Sequence, residues 1–246
     1  MVYDRPHPRC YRPMRYCLKG LRKPHFRNSM KERSYTAPEV ARIEEYAIEE
    51  LKIDVLQLME VAGFRSAEVM RDHVQSSANI TVLAGSGGNG GDALVCAKWL
   101  HLWGYHPIVI LASGRSHLKP VTRHQLSVWE HLGGDVTLTP PRKTNAIVDG
   151  LIGFSLEGAP RGKAAELIEW TNSQKTFVLS LDIPSGLDAS TGKISTPCVR
   201  ATRTVVFSLM KQGLLSKEAL PYIGIVKMVD IGLPKTFPKD LLDPVQ

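Results

Sequence analysis

"LAGSGGNGGDALVCAKWL", residues 83–100, is the stretch on which the fold of this chain turns. Five glycines lie between Gly85 and Asp92, with an apolar run before them and a helix-like stretch after. Glycine weakens regular structure, so a cluster of this kind needs a cause. Gly85-Ser86-Gly87-Gly88-Asn89-Gly90 satisfies the pattern G-x-G-x-x-G between a strand and a helix. Glycines at such a junction permit positive φ and close backbone approach, and the free N–H groups of the helix start face an anion. The alternative is a tight strand-to-helix turn that holds nothing. Asn89 and Asp92 are polar groups that such a turn would not need.

Outward from this loop the pattern is alternating. "NITVLA" (79–84) reads as a strand, 90–103 as a helix, "PIVILA" (107–112) as a strand and 120–132 as a helix. "VTL" (136–138), "AIVDGLI" (146–152), "TFVLSLD" (176–182), "TRTVVFS" (202–208) and "IGIVKMVDIG" (223–232) are further strand candidates, with a helix over 161–172. Upstream, Thr36 and Glu39 form a capping box with Pro38 in the first turn. Val40, Ile43, Ala47, Ile48 and Leu51 then recur at helical spacing, and a second helix holds "LMEVAGFRSAEVM" within roughly 55–74. Strands alternating with helices predict right-handed βαβ units and an α/β fold, its mostly parallel sheet covered on both faces. Ligands of such sheets bind beyond the carboxyl ends of the strands, so residues just after strands are the candidates.

Bulk properties narrow the function. At 246 residues one large α/β domain is expected, and 43% hydrophobic with 22% charged residues is ordinary for a globular protein. No apolar run approaches the roughly 20 residues that span a bilayer, so no membrane association is expected. Cys10, Cys17, Cys96 and Cys198 form no CxxC pair, which argues against a disulfide scaffold or zinc site and suits a reducing, cytoplasmic setting. The net charge of +7 is unevenly placed: residues 1–34 hold ten Lys/Arg against Asp4 and Glu32. The remaining 21 basic and 22 acidic residues nearly cancel, so no nucleic-acid partner is expected. The segment 1–34, with prolines at 6, 8, 13 and 24, is read as a basic, disordered extension to a domain over 35–246, with Met30 as an alternative start. Organelle targeting or polyanion binding is the other reading of that extension.

The glycine loop does not fit an ordinary dehydrogenase. A dinucleotide site of that type expects an acid about 20 residues on, and "LASGRSH" (111–117) offers Ser113 and Arg115 but no carboxylate. No GK[ST] follows, so the loop is not a Walker A site. Two other strand ends carry acids. Asp149 stands near one, before a loop rich in Gly and Ser, and Asp182 follows the buried run "FVLSL" and precedes Pro184, Ser185 and Gly186. The bland readings are a turn acid for Asp149 and an N-cap or turn-former for Asp182. Asp188, in "GLDASTG", reads as a turn residue.

Together, "MEVAG" (59–63), "GSGGNGGDA" (85–93), "IVDGLIGFSLEG" (147–158), "LDIPSGLDASTG" (181–192) and "VDIGLP" (229–234) resemble, in order and spacing, the NAD(P)H-hydrate epimerase family, the YjeF N-terminal domain. The resemblance covers roughly residues 36–234 and implies a Rossmann-like three-layer αβα sandwich. It implies interconversion of the R and S hydrates of NADH and NADPH, feeding a separate dehydratase that takes the S form. A potassium ion is implied at Asn89, Asp149 and Ser185; an all-oxygen set suits a hard cation. Substrate contacts are implied for Gly88, Asn89, Gly90, Gly91 and Asp92, for Gly153, Phe154, Ser155, Leu156, Glu157, Gly158 and Ala159, and for Asp182. Family members often dimerise, which implies a homodimer. The family's usual loop is GNNGGDG, so Gly88 and Ala93 are departures. In the hydrate the reactive carbon bears a hydroxyl beside the ring nitrogen, and Asp182 is taken as the acid/base that moves the proton. The competing readings are a catalytically inactive nucleotide-binding scaffold of the same fold and an NADP-linked oxidoreductase with Arg115 near a 2′-phosphate.

Overall fold

The computed structural model describes residues 33–156 and 158–242. The chain runs β1 (Ser34–Tyr35), α1 (Ala37–Glu49), α2 (Val55–Arg71), β2 (Ile80–Ala84), α3 (Gly88–Leu102), β3 (Ile108–Leu111), α4 (Pro120–His131) and β4 (Asp135–Thr137). It continues through β5 (Ala146–Gly150), α5 (Gly162–Ser173), β6 (Phe177–Leu181), β7 (Arg203–Phe207), β8 (Met210–Lys211), the short α6 (Leu220–Ile223) and β9 (Ile225–Val229). The predicted α/β alternation is therefore present, and the second helix stops at Arg71 rather than near residue 74.

Seven strands form one wholly parallel sheet in the order β4-β3-β2-β5-β6-β7-β9. The chain winds outward from β2 through β3 to β4, then returns to β5 and winds the other way. That reversal puts a topological switch point between β2 and β5, where such sheets leave a crevice at their carboxyl ends. β2 and β5 are buried along their whole length, as central parallel strands must be.

The two faces are covered unequally. Val82, Ala84, Ala146 and Val148 point to the face packed by Ile43 of α1, Ala62 of α2, Leu94 of α3 and Trp129 of α4. The alternate residues Leu83, Ile147 and Val178 meet Leu167 and Ile168 of α5. This is the expected αβα sandwich, with four helices on one side and α5 with the 183–223 segment on the other.

Local sequence accounts for the helix starts. The Thr36 hydroxyl accepts the Glu39 N–H while the Thr36 N–H donates to Glu39 Oε2 at 2.7 Å, the reciprocal box read from the sequence. Asp54 and Gln57 make a second such box ahead of α2, which the sequence reading passed over. The contact between α2 and α3 explains "MEVAG". A Cβ on Gly63 would lie 2.4 Å from the Val95 Cβ, and one on Gly91 2.5 Å from the Met59 thioether. Glu60, between them, takes Lys98 Nζ at 2.6 Å and the Trp99 indole N–H at 2.7 Å. The motif is thus half a helix–helix joint, and α3 is the element that carries the glycine loop.

Candidate functional site

The five loop glycines have two different causes. A Cβ on Gly85 would sit 1.8 Å from the Leu151 carbonyl oxygen, and one on Gly90 2.0 Å from that of Gly85. These two let β2, α3 and the turn after β5 cross at backbone contact. Gly87 and Gly88 have open space above them instead. Gly90→Ala is therefore expected to lower stability by about 1–3 kcal/mol or more, the usual range for forcing extra volume into packed structure. Gly87→Ala, at an extended φ of −99°, should stay within about 0.5 kcal/mol of the parent. Coincident urea midpoints for the two variants would refute the distinction.

The loop is pinned from α4: Lys119 N–H donates to the Ser86 carbonyl at 2.9 Å and Thr122 Oγ1 to that of Gly87 at 2.8 Å. The N–H groups of Gly88 and Asn89 have no partner among the described residues, and both residues line a cavity of about 590 Å³. Of the residues for which the resemblance implies substrate contacts, Gly88, Asn89, Asp92, Gly153, Phe154, Ser155 and Asp182 line this cavity. Gly90 and Gly91 are buried behind its wall in the contacts just described, and Leu156, Gly158 and Ala159 are not among the lining residues. Glu157 and residues 1–32 lie outside the described residues. Arg115 is on the surface, paired with Glu130 at 2.5 Å, and does not line the cavity.

Asp149, the next-to-last residue of β5, is fully buried and accepts four hydrogen bonds. The Leu151 N–H (3.3 Å) and the Ser185 hydroxyl (2.6 Å) donate to Oδ1, and the Ser180 hydroxyl (2.8 Å) and the Ser185 N–H (3.0 Å) to Oδ2. Burial pushes its carboxyl up, and the Ser185 hydroxyl leads the bonds that pull it back. No cationic side chain is among these partners. Ser185 Oγ also accepts the Ile152 N–H at 2.9 Å, and the Asn89 side chain lies over Gly153, 3.3 Å from where a Cβ would be. Asn89, Asp149 and Ser185 thus converge on the 150–153 turn, and both amide atoms of Asn89 are buried without a hydrogen-bond partner. Among the described residues no group of three or more His, Cys, Asp or Glu side chains could hold a metal ion.

Asp182 caps β6 with φ of +63°, a left-handed conformation that Asp adopts at lower cost than most residues. That twist turns its carboxyl into the cavity floor. Oδ1 accepts the Phe207 N–H at 3.1 Å and an ammonium hydrogen of Lys211, which also donates to the Phe207 carbonyl at 3.3 Å. Lys211 is 1% exposed, and Asp182 5%. The sequence reading missed Lys211. Its one signal is the single charged residue inside the mostly apolar run "VVFSLMKQGLL" (205–215), and a lysine is almost never fully buried unless paired. β8 holds it in place by pairing with β1, Lys211 opposite Tyr35.

Two more carboxyls face the cavity, Asp92 on α3 and Glu44 on α1. Burial pushes Asp92 well above the ordinary range, with the charge of Asp182 adding to it, and raises Glu44 to about 7. Burial also raises the Cys198 thiol to about 12 and moves Cys96 in the same direction, so neither is poised as a nucleophile. Asp188, as predicted, makes a turn: its Oδ1 accepts the Ser190 and Thr191 N–H groups at 3.0 and 2.7 Å. Ala93, one of the two departures, is fully buried and fills the space over Gly150, where a Cβ would be 2.5 Å away. Gly88, the other, leaves room for a side chain.

Comparison with known proteins agrees with this geometry. The model of the family described as YjeF-related protein N-terminus matches residues 55–213. Over 206 residues the chain is 37% identical to an NAD(P)H-hydrate epimerase of Dehalogenimonas lykanthroporepellens, covering 81% of this chain and 82% of that protein. It is 31% identical over 214 residues to the bifunctional NAD(P)H-hydrate repair enzyme Nnr of Moorella thermoacetica, covering 81% of this chain but 40% of that one. A crystal structure of a yeast protein, YNL200c, superimposes with a TM-score of 0.69 at 25% identity, covering 85% of this chain and 91% of that chain.

Proposed function

The chain belongs to the family described as the YjeF-related protein N-terminus, and on that premise we propose that it is an NAD(P)H-hydrate epimerase, an isomerase that interconverts the R and S hydrates of NADH and NADPH. The observation that carries the reading is Asp182, a carboxylate bound to a buried lysine at the cavity floor, at the carboxyl end of a central strand. The unpaired N–H groups of Gly88 and Asn89 and the open space above Gly87 suit the phosphates of a nucleotide. The substrate's reactive carbon carries a hydroxyl beside a ring nitrogen, and inverting it requires a proton at that oxygen. Asp182 is the group placed to accept or return it, while Lys211 holds the carboxylate in one orientation.

Potassium belongs to the same proposal. A buried carboxylate without a cationic partner, an amide oxygen without a donor and a hydroxyl meeting on one turn fit a hard monovalent cation. Asn89, Asp149 and Ser185 would hold it, with Asn89 carrying its effect to the start of α3. Bound there, the ion supplies charge and orientation and takes no part in proton transfer.

A dehydratase specific for the S hydrate is the expected functional partner, and the names of the bifunctional relatives support that coupling. The free, buried Cys96 and Cys198 suit a reducing compartment, and we place the protein in the cytoplasm. No described helix is long and apolar enough to cross a membrane. A homodimer rests on the habit of the family alone. The test is direct: remove the S form from a hydrate mixture with an S-specific dehydratase, add the protein and follow loss of the R form. Conversion well above the spontaneous rate, falling when potassium is replaced by a bulky organic cation, is expected. Conversion at the spontaneous rate with nucleotide still bound would favour a binding scaffold, the reading suggested by Gly88, Ala93 and the basic N-terminal segment.

A further inference from the structure

We propose that Glu44 is a second proton-transfer group of this cavity, acting from the α1 wall while Asp182 acts from the end of β6. The inference rests on the epimerase reading and deepens it. On α1, Val40, Ile43 and Ala47 are buried in the core, and Glu45, Glu49 and Glu50 are exposed. Glu39 is used as a cap. Glu44 alone among these acids lines the cavity, and its carboxyl has no hydrogen-bond partner among the described residues. Its side chain is half-buried in the cavity wall, where water or a bound substrate is the partner left to it. A solvated surface glutamate is the bland alternative, and what sets Glu44 apart from Glu45, Glu49 and Glu50 is its place on the cavity wall shared with Asp92 and Asp182.

The charged groups that face Glu44 are Asp182 from β6, Asp92 from α3, Lys211 from β8 and, at the rim, Lys119 ahead of α4. Lys211 is committed to Asp182 and the Phe207 carbonyl. One buried ammonium against three carboxyls leaves Asp92 and Glu44 without a charge partner, which favours their neutral forms. Burial is the leading cause that raises Glu44 to about 7, opposed by Lys211 and reinforced by Asp182. The cavity therefore holds a salt-bridged carboxylate and a neutral acid together, the division of labour an acid–base pair needs.

The chemistry that uses both is cleavage of the carbon–oxygen bond. Glu44 gives its proton to the substrate hydroxyl, the C–O bond breaks and water leaves with the electron pair. The ring-nitrogen lone pair forms the C=N bond of an iminium cation, which the acidic cavity stabilises. Water then adds to the opposite face, the C=N pair returns to nitrogen, and the surplus proton passes to Asp182. The substrate carbon is inverted, one water is released and one consumed, and the transferred proton returns through solvent or by reverse turnover.

The test uses the full chain, the R hydrate and water labelled with ¹⁸O. Wild-type turnover should fall as pH rises past about 7, because the acid form is the active one and is lost through that pKa. Glu44→Gln should lower turnover about 10²-fold, abolish that fall and leave NADP⁺ binding unchanged, a combination a merely structural role would not produce. The inverted product of a single turnover should carry solvent oxygen. Wild-type turnover in Glu44→Gln, an unchanged pH fall in that variant, or retention of the original oxygen each overturns the inference. If Glu44→Gln fails to fold, the wild-type profile and label decide alone, and a flat profile between pH 6 and 8 overturns it. A wild type without turnover removes the epimerase reading itself, whereas an active wild type with an indifferent Glu44 removes only this step.

Discussion

Asp182→Asn is expected to reduce epimerisation by about 10²–10⁴-fold, the usual weight of a positioned acid–base group, while leaving nucleotide binding near that of the parent. The amide matches the carboxylate in shape, and Asn tolerates the φ of +63° that aims the side chain at the cavity. Its oxygen can still accept from Lys211 and the Phe207 N–H, so the hydrogen bonds at the floor of the site are kept, while the buried Lys211 ammonium loses its charge partner at a cost in stability. What the amide cannot do is take up a proton and release it. Turnover and nucleotide affinity measured on one preparation separate the two effects. An undiminished turnover number would exclude Asp182 as the proton carrier, and equal loss of binding and turnover would make it a binding residue.

Lys211→Met carries the largest expected effect on stability. Lys211 and Asp182 are both buried, and each is the other's charge partner. Removing one member of a buried ion pair leaves an uncompensated charge and typically destabilises by about 3–5 kcal/mol. Met fills a similar volume, so the loss reports the charge rather than a cavity. Adding Asp182→Asn to Lys211→Met should restore part of that stability, because the stranded carboxylate is then gone. Urea unfolding of the two single variants and the double variant tests this. Strict additivity across the cycle would mean that the pair does not act as a unit.

Much of this could be read from the sequence, because the signals are local. The Thr36–Glu39 box, the apolar strands after residue 79 and the spacing of the helices each depend on neighbours within a few residues. Asp149 and Asp182 stood out because an acid directly after a buried strand has few bland explanations. Lys211 and Glu44 gave no comparable signal. Each belongs to the site through pairings across the chain, Lys211 opposite Tyr35 and beside Asp182, and Glu44 across the cavity from α1. β1 and β8, two residues each, are too short to show a period. The glycine run offers both a ligand loop and a tight turn, and the structure divides it: Gly85 and Gly90 serve chain crossing, and Gly87 and Gly88 border the cavity. Sequence alone does not separate those uses, since both are written with the same residue.

The pairing of β1 with β8 also sets a timetable for synthesis. Tyr35 emerges near the beginning of the domain and its partner Lys211 near the end, so at roughly 5–20 residues per second the first strand waits about 10–35 s for the second. Until then Glu44 and the apolar stripe of α1 lack the ammonium group of Lys211. The ion pair can form only after most of the cavity lining has been made, with β9 and Ile231 still to follow, so a nascent chain stalled before residue 211 lacks the charge pair of its site.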